Sequence, residues 1–159
     1  MGKDAFLSKI AGCQRILLDT NSIIYFLQNV NPYSTILKPL FSLCEGQKLA
    51  VFISLITEAE LLVGPLKEDN KETLAKVQLF LNTFPGFKVI PISRQIGYTA
   101  ASIRAKTNLR LPDALIIATA QAAGCEMIIG NDLAWSKIDY PEVILLDKYI
   151  SEQMNQWKQ

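Results

Sequence analysis

The side chains of this chain that could carry chemistry are mainly carboxylates, because the sequence contains no histidine. That absence excludes Ser-His-Asp triads, Cys-His pairs, histidine zinc sites and histidine general bases. Cys13, Cys44 and Cys125 stand apart without C-x-x-C spacing, and we interpret them as reduced thiols of a cytosolic protein. Any catalysis must therefore rest on carboxylates, hydroxyls, lysines, thiols or a metal ion held by oxygen ligands.

Asp19 closes the apolar run Ile16-Leu17-Leu18 and is followed by Thr20-Asn21-Ser22. Two interpretations are open for this segment. Asp19 or Asn21 caps a helix that begins near Ser22, or Asp19 lies at the carboxyl edge of a sheet, where open α/β sheets bind their ligands. The segment by itself supports both equally.

Asp113 gives a stronger indication of function. It follows Pro112 in the first turn of a helical stretch, where the helix dipole favours an acid. The residues that share its face at helical spacing are Ile116, Ile117, Ala120 and Gly124. The dipole does not explain an acid on the apolar stripe that packs on the sheet, so we favour a functional role for Asp113.

Glu58 and Glu60 flank the apolar stripe of a second helical stretch. At about 100° per residue they lie about 160° apart, so a rigid helix turns only one of them into a given site. Periodicity does not choose between them. Asp132, in the turn Gly130-Asn131-Asp132, has the ordinary chemistry of a turn or helix cap, and alone it indicates little.

Short apolar strands alternate with longer helical stretches along the chain, a pattern that predicts a parallel α/β sheet. The predicted strands are 15–19, 49–54, 87–92, 126–130 and 143–147. The predicted helices are 22–28, 33–45, 55–64, 68–84, 93–107 and 112–124. Right-handed crossovers place the carboxyl ends of all five strands on one edge, where open α/β sheets bind their ligands.

Composition indicates one domain over residues 1–159. No apolar run approaches the roughly 18 residues of a membrane span, and residues 1–12 lack a signal-peptide core, so we expect a cytoplasmic protein without a membrane partner. The net charge is only +1, with 16 basic and 15 acidic residues. A nucleic acid would therefore be bound through a local site and not through bulk charge.

Taken together, four segments resemble the PIN-domain family, in particular the VapC-like toxin ribonucleases. They occur in the family's order, at residues 17–22, 53–64, 109–120 and 128–135. The resemblance implies a three-layer α/β/α fold with a five-stranded parallel sheet. Compared with compact toxins of this kind, residues 1–13 form an N-terminal extension.

The resemblance assigns the family's four acids to Asp19, Glu60, Asp113 and Asp132, and it thereby selects Glu60 over its neighbour on the helix. Asn21 matches the polar residue that supports the first acid in the family.

Two positions depart from the family pattern. Gly130 stands where the family usually has Thr or Ser, and Trp135 stands where it usually has Phe. We expect the missing hydroxyl at Gly130 to weaken the support of Asp132.

Carboxylates brought within about 5 Å of one another repel by roughly 3 kcal/mol per pair at an effective dielectric constant near 20. Such a cluster must take up protons or bind a cation, and oxygen-only ligands favour Mg²⁺ or Mn²⁺. We therefore expect the four acids to hold one or two ions that activate a water to cleave RNA. In-line attack would leave 5′-phosphate and 3′-hydroxyl ends.

Arg110, just before the Asp113 helix, is a candidate for contacting substrate phosphates, as are Arg104 and Lys106. A solvated basic helix end explains the same residues. The resemblance further implies a toxin with a cognate antitoxin that inserts a segment near the acids, and a homodimer.

Two other functions remain open. In a phosphohydrolase of the haloacid-dehalogenase type, Asp19 would be a covalent nucleophile, but the usual second Asp two residues later is here Asn21. A non-catalytic PIN-like interaction module would keep the fold as a binding scaffold.

Overall fold

The computed structural model describes residues 2–150, which form a five-stranded sheet with helices on both faces. All strand pairs are parallel, and the strand order is β3-β2-β1-β4-β5. The strands are β1 (Arg15–Leu18), β2 (Ala50–Ser54), β3 (Phe87–Ile90), β4 (Met127–Gly130) and β5 (Glu142–Leu145). The predicted fold class and all five predicted strands are thus confirmed, with ends shifted by one or two residues.

Seven α-helices and two short 3₁₀ helices complete the described residues. The α-helices are α1 (Gly2–Ile10), α2 (Thr20–Leu27), α3 (Tyr33–Glu45), α4 (Leu55–Lys67), α5 (Lys71–Thr83), α6 (Arg94–Thr107) and α7 (Leu111–Ala122). The 3₁₀ helices are Leu133–Lys137 and Leu146–Tyr149. Six of the α-helices were predicted; α1 and both 3₁₀ helices were not.

The helix boundaries differ from the predicted ones where local contacts outweigh propensity. Helix α4 continues past Gly64 through Pro65 to Lys67, instead of ending at Gly64. Helix α5 begins at Lys71 instead of residue 68, because the Asn70 side chain accepts a hydrogen bond from the Thr73 backbone N–H at 3.0 Å and so caps the helix there.

The N-terminal segment contributes to the core. Within residues 1–13, which we predicted to be an extension, the α1 side chains Phe6 and Ile10 are buried. The Phe6 ring packs edge-on against Tyr149 with ring centroids 5.6 Å apart. Helix α1 therefore closes one end of the apolar core.

The alternation of side chains along β1 divides the core between the two faces of the sheet. Ile16 and Leu18 point into a large cluster shared with α1 to α5, whereas Leu17 points into a second cluster with Ile116 and Ile117 of α7. Helix α6 packs against α7 through a third, smaller cluster. The result is a three-layer α/β/α arrangement.

The chain leaves β1 toward β2 and β3 and then returns to place β4 on the other side of β1. This reversal creates a crevice at the carboxyl ends of β1 and β4, the position where open α/β sheets bind ligands. The Asp19 backbone N–H donates to the Ile129 carbonyl at 3.0 Å and joins the two strand ends.

None of the helices in residues 2–150 is long and apolar enough to cross a membrane.

Candidate metal centre

A small cavity of about 90 Å³ opens at the reversal of strand order. Four carboxylates from four separate parts of the chain line it: Asp19 after β1, Glu60 of α4, Asp113 of α7 and Asp132 after β4. The other lining residues are Thr20, Asn21, Arg110, Ile116 and Trp135. All four acids named from the sequence thus reach one place, whereas Glu58 does not line this cavity.

Asp19 is enclosed by the fold and only 5% exposed. Its Oδ1 accepts a hydrogen bond from the Ser22 backbone N–H at 2.8 Å, which caps α2. Burial raises the pKa of Asp19 to about 6, and nearby Glu60 adds to the rise, while N–H groups of Ser22 and Asn131 oppose it. The two interpretations of the sequence are therefore compatible, because Asp19 both caps a helix and lines the cavity.

Gly130 packs directly against the Asp19 carboxylate. A β-carbon at position 130 would lie 2.6 Å from Asp19 Oδ2 and 2.8 Å from its Cγ, inside van der Waals contact. We expected the missing hydroxyl at Gly130 to affect Asp132. In the structure, a side chain at position 130 would instead lie against the Asp19 carboxylate. Because position 130 is a glycine, there is room for the Asp19 carboxylate at this point.

Glu60 is exposed at the mouth of the cavity. Partial burial raises its pKa, the charge of Asp113 raises it further, and a hydrogen bond with Thr20 lowers it. The Thr20 hydroxyl also lies 3.3 Å from that of Thr57, so it links α2 to α4. Thr20 was missed in the sequence, although its position directly after Asp19 was a usable signal.

Asp113 begins α7 on the face that packs on the sheet and is 8% exposed. Arg110, the residue before this helix, donates from Nε to Asp113 Oδ2 at 3.0 Å. The pairing with Asp113 raises the pKa of Arg110, and the charges of Asp132 and Glu60 raise it further. Arg110 thus lies in the field of three of the four acids.

Asp132 is held by the loop that follows β4. Its Oδ1 accepts a hydrogen bond from the Ala134 N–H at 2.9 Å and caps the 3₁₀ helix Leu133–Lys137. Asn131 anchors the loop to the 3₁₀ helix Leu146–Tyr149, since its side chain donates to Asp147 Oδ1 at 3.2 Å and accepts from the Asp147 N–H at 2.8 Å. Asp132 therefore caps a short helix and also lines the cavity.

Trp135 of the same 3₁₀ helix is buried and forms part of the cavity wall. Within residues 2–150 its indole Nε1–H is the one buried side-chain polar atom without a hydrogen-bond partner. The Phe that the family usually has here carries no such donor, so this orphaned group follows from the departure noted in the sequence.

The remaining candidates from the sequence lie at the rim of the cavity or away from it. Asn21 is exposed on the rim, and across residues 2–150 its side chain makes no hydrogen bond to Asp19, which is hydrogen-bonded by the Ser22 side chain and by the backbone N–H groups of Ser22 and Asn131. Arg104 donates to the Leu109 carbonyl and so stabilises the turn into α7. Lys106 lines a separate cavity of about 360 Å³ with Lys137 and Tyr140.

The donor chemistry of the cavity fits a divalent ion with oxygen ligands, since its acidic side chains are all carboxylates. As arranged in residues 2–150, no three carboxylate or thiol side chains are close enough to bind one ion jointly. Arg110 occupies Asp113 Oδ2 at the same place. The residues thus fit a divalent metal by type, with one oxygen of Asp113 already paired.

The family model for the PIN domain matches residues 16–140. In a toxin–antitoxin complex from Klebsiella pneumoniae, one chain is 27% identical, with a TM-score of 0.63; the match covers 82% of this chain and 97% of that chain. No curated protein matches the sequence.

Two further structures share the fold at lower identity. A chain of VapBC2 from Rickettsia felis, bound to a DNA fragment from their promoter, is 22% identical with a TM-score of 0.66, covering 83% of this chain and 98% of its own. A chain of DNA-bound VapBC from Salmonella typhimurium is 20% identical with a TM-score of 0.63, covering 84% and 98%. On the family match, which spans most of the chain, this protein belongs to the PIN domain family.

Proposed function

We propose that this protein is a metal-dependent ribonuclease that hydrolyses RNA phosphodiester bonds at the cavity formed by Asp19, Glu60, Asp113 and Asp132. One observation carries the proposal: carboxylates from four separate parts of the chain line a single cavity of about 90 Å³ at the ligand edge of the sheet. Helix capping explains Asp19 and Asp132 singly but not the convergence of four acids, because like charges brought together oppose folding unless cations offset them, and Arg110 supplies only one positive charge.

We assign Mg²⁺ or Mn²⁺ as the cofactor, held by the four acids, because no histidine is available and the cysteines lie elsewhere. When bound, such an ion supplies Lewis-acid chemistry at a phosphate oxygen and lowers the pKa of a water. The chain's own part is to hold the ligands in place. Asp19 is fixed by Ser22 and enclosed by Gly130, so its orientation is set before an ion arrives.

Glu60 has a second role in this proposal, besides holding the ion. It is exposed at the cavity mouth, and partial desolvation together with the charge of Asp113 raises its pKa, which makes it a stronger base. Its carboxylate oxygens are therefore placed to accept the proton of an attacking water. Attack in line with the leaving 3′-oxygen would produce a 5′-phosphate and a free 3′-hydroxyl.

RNA as the substrate is supported by the similarity of the four acidic segments to VapC-like ribonucleases. The weak net charge of +1 makes the local site the main determinant of binding. Among the described residues that line the cavity, Arg110 is the one cation. The substrate would therefore be positioned by the metal and by Arg110, with little contribution from a broad basic surface.

We further propose that the protein is the toxin of a toxin–antitoxin pair, because the similar structures include toxin–antitoxin complexes. A cavity of about 500 Å³ between α2, α4 and α5 supports a nearby binding place for an antitoxin segment. It is lined by apolar residues such as Ile24, Leu27 and Val77, and it includes Glu60. A peptide bound there would cover the mouth of the acidic site.

We also propose that the protein forms a homodimer. Light scattering of the purified protein tests this proposal.

The enzymatic proposal is tested with single-stranded RNA labelled at its 5′ end, incubated with the protein in Mn²⁺ or in EDTA. We expect cleavage in Mn²⁺ only, with products that carry 3′-hydroxyl ends. Equal cleavage in EDTA would refute metal dependence. Turnover of small phosphate esters with a trapped aspartyl-phosphate, and no RNA cleavage, would identify the aspartate-nucleophile phosphohydrolase instead. No catalysis and no stabilisation by divalent ions would identify an interaction module.

The toxin role is tested separately by expressing the protein alone in a bacterial host. We expect arrested growth and reduced translation. Normal growth and translation, combined with RNA cleavage by the purified protein, would refute the toxin role and leave the nuclease intact.

A further inference from the structure

Arg110 is placed where a metal ion would compete with it. Its Nε lies 3.0 Å from Asp113 Oδ2, and its charge interacts with Asp132 and Glu60. Three acids of the cavity are therefore already partly neutralised by a cation that belongs to the chain. In the same structure, no three acidic side chains of residues 2–150 lie close enough together to bind one ion.

The two partners of this ion pair differ in freedom. The Asp113 side chain is only 12% exposed and belongs to a helix packed on the sheet, whereas the Arg110 side chain is 79% exposed. Arg110 precedes the first turn of α7, and its side chain makes no capping hydrogen bond that would be lost if it moved. The exposed guanidinium can therefore leave without opening the core, provided that another cation then pairs with the nearly buried Asp113 carboxylate.

We propose that Arg110 is an internal counter-ion of the acidic site, and that its pairing with Asp113 and the binding of a divalent cation exclude one another. The inference rests on the proposed function, because it requires that the acids bind a metal. In the metal-free protein Arg110 neutralises the cluster; when an ion binds, the guanidinium is released to the rim. There it meets the phosphates of an RNA strand that enters the cavity.

This exchange gives Arg110 two successive partners with the same chemistry. A guanidinium binds a carboxylate and a phosphate through the same planar set of N–H donors. Metal binding would thus make the phosphate contact available only when the site is loaded. Arg110 is in this view a positioning residue, whose removal should tighten metal binding and at the same time weaken RNA binding.

The test measures Mn²⁺ binding to the full-length protein by calorimetry, without RNA, for the wild type, Arg110→Gln and Lys106→Gln. Lys106→Gln is the matched control, because it removes the same charge from an exposed residue that lines a different cavity. We expect Arg110→Gln to bind Mn²⁺ about tenfold more tightly than the wild type, and Lys106→Gln to differ from it by less than about twofold. Thermal unfolding of each variant without metal verifies that the fold is kept.

A second measurement follows the arginine itself. The Nε–H signals of ¹⁵N-labelled protein are recorded during a Mg²⁺ titration, and the Arg110 signal is assigned from its loss in Arg110→Gln. We expect this signal to shift in proportion to site occupancy as the pairing with Asp113 opens.

The outcomes separate this inference from the proposed function. Wild-type binding of Mn²⁺ with equal or weaker binding by Arg110→Gln, or an Arg110 signal that ignores Mg²⁺ saturation, would overturn the counter-ion proposal alone. Binding by Arg110→Gln when the wild type binds undetectably would support it strongly. No binding by either protein would overturn both the counter-ion proposal and the metal-dependent function.

Discussion

Gly130 lies so close to Asp19 that a β-carbon at position 130 would be 2.6 Å from the Asp19 Oδ2. This contact joins the carboxyl ends of β4 and β1, the two strands that border the candidate metal centre. Where the family usually has a hydroxyl residue, this chain has a glycine that makes room for its first acid. The orientation of Asp19 therefore depends on a position that carries no side chain.

Substitution Gly130→Ala should push the Asp19 carboxylate out of its place. We expect a loss of stability of about 1–3 kcal/mol from overpacking, and loss of most of the thermal stabilisation that Mn²⁺ confers. Gly97→Ala in α6 is the control, because a β-carbon there meets no atom within 4 Å. That control should be neutral or stabilising by up to about 1 kcal/mol. If Mn²⁺ stabilises Gly130→Ala as much as it stabilises the wild type, then the contact between Gly130 and Asp19 is unimportant for metal binding.

The burial of Asp19 predicts a specific pH dependence of stability. Its pKa rises from 3.8 to about 6 on folding, so the folded protein binds this proton more tightly than the unfolded chain between those values. Stability should therefore fall as pH rises through this window, by up to about 3 kcal/mol when Asp19 is ionised and no metal is bound.

Replacing Asp19 with Asn tests this dependence, because Asn removes the charge and still caps a helix. In EDTA at pH 7.5 we expect Asp19→Asn to be more stable than the wild type by about 1–3 kcal/mol in urea denaturation. The difference should vanish below pH 4. A variant that is less stable at pH 7.5, by the same amount as at pH 4, would contradict a buried, destabilising charge at this position.

Glu60 and Glu58 form a matched pair on one helix. Glu60 lines the acidic cavity and Glu58 does not, so the two Gln substitutions should differ in activity while they have similar stability. We expect Glu60→Gln to lower the rate of RNA cleavage by at least about a hundredfold, the range of a lost general base. Glu58→Gln should stay within about twofold of the wild type. Equal losses in both variants would refute the choice of Glu60.

The packing of helix α1 predicts that the N-terminal segment is required for stability. Phe6 is fully buried and contacts Tyr149. Phe6→Ala should therefore cost about 3–5 kcal/mol in the free energy of unfolding, as measured in urea. Lys3→Ala on the exposed side of the same helix should change it by less than about 0.5 kcal/mol. A cost below 1 kcal/mol for Phe6→Ala would mean that α1 is an appendage.

The sheet was predictable from the sequence because its strands are short apolar runs with clear boundaries. Even α3, interrupted by Pro39, has the predicted bounds Tyr33–Glu45. Helix α1 was missed because its apolar residues are few and gain their burial only from contacts with distant parts of the chain, such as Tyr149. The start of α5 was misplaced because the Asn70 cap decides where that helix begins, and α4 continues through Gly64 and Pro65 to Lys67, past its predicted end.

For the site, residue types and spacing favoured only Asp113, while Asp19 was equally well explained as a helix cap. The family resemblance was needed to assign Asp19, Glu60, Asp113 and Asp132 to one place. Three features of the site could not be predicted from the sequence. The pairing of Arg110 with Asp113 depends on how the chain enters α7, and the contact of Gly130 with Asp19 depends on the register between β1 and β4. The orphaned Trp135 N–H depends on packing around the loop.

The central claim is that the converging carboxylates bind a divalent ion and cleave RNA. The most direct test compares cleavage of single-stranded RNA by the wild type and by Asp113→Asn in Mg²⁺ or Mn²⁺. Asn keeps the shape of the buried side chain and removes its charge. We expect metal-dependent cleavage by the wild type and a loss of at least about a hundredfold in Asp113→Asn, whereas equal activity in the two proteins would contradict the proposed mechanism.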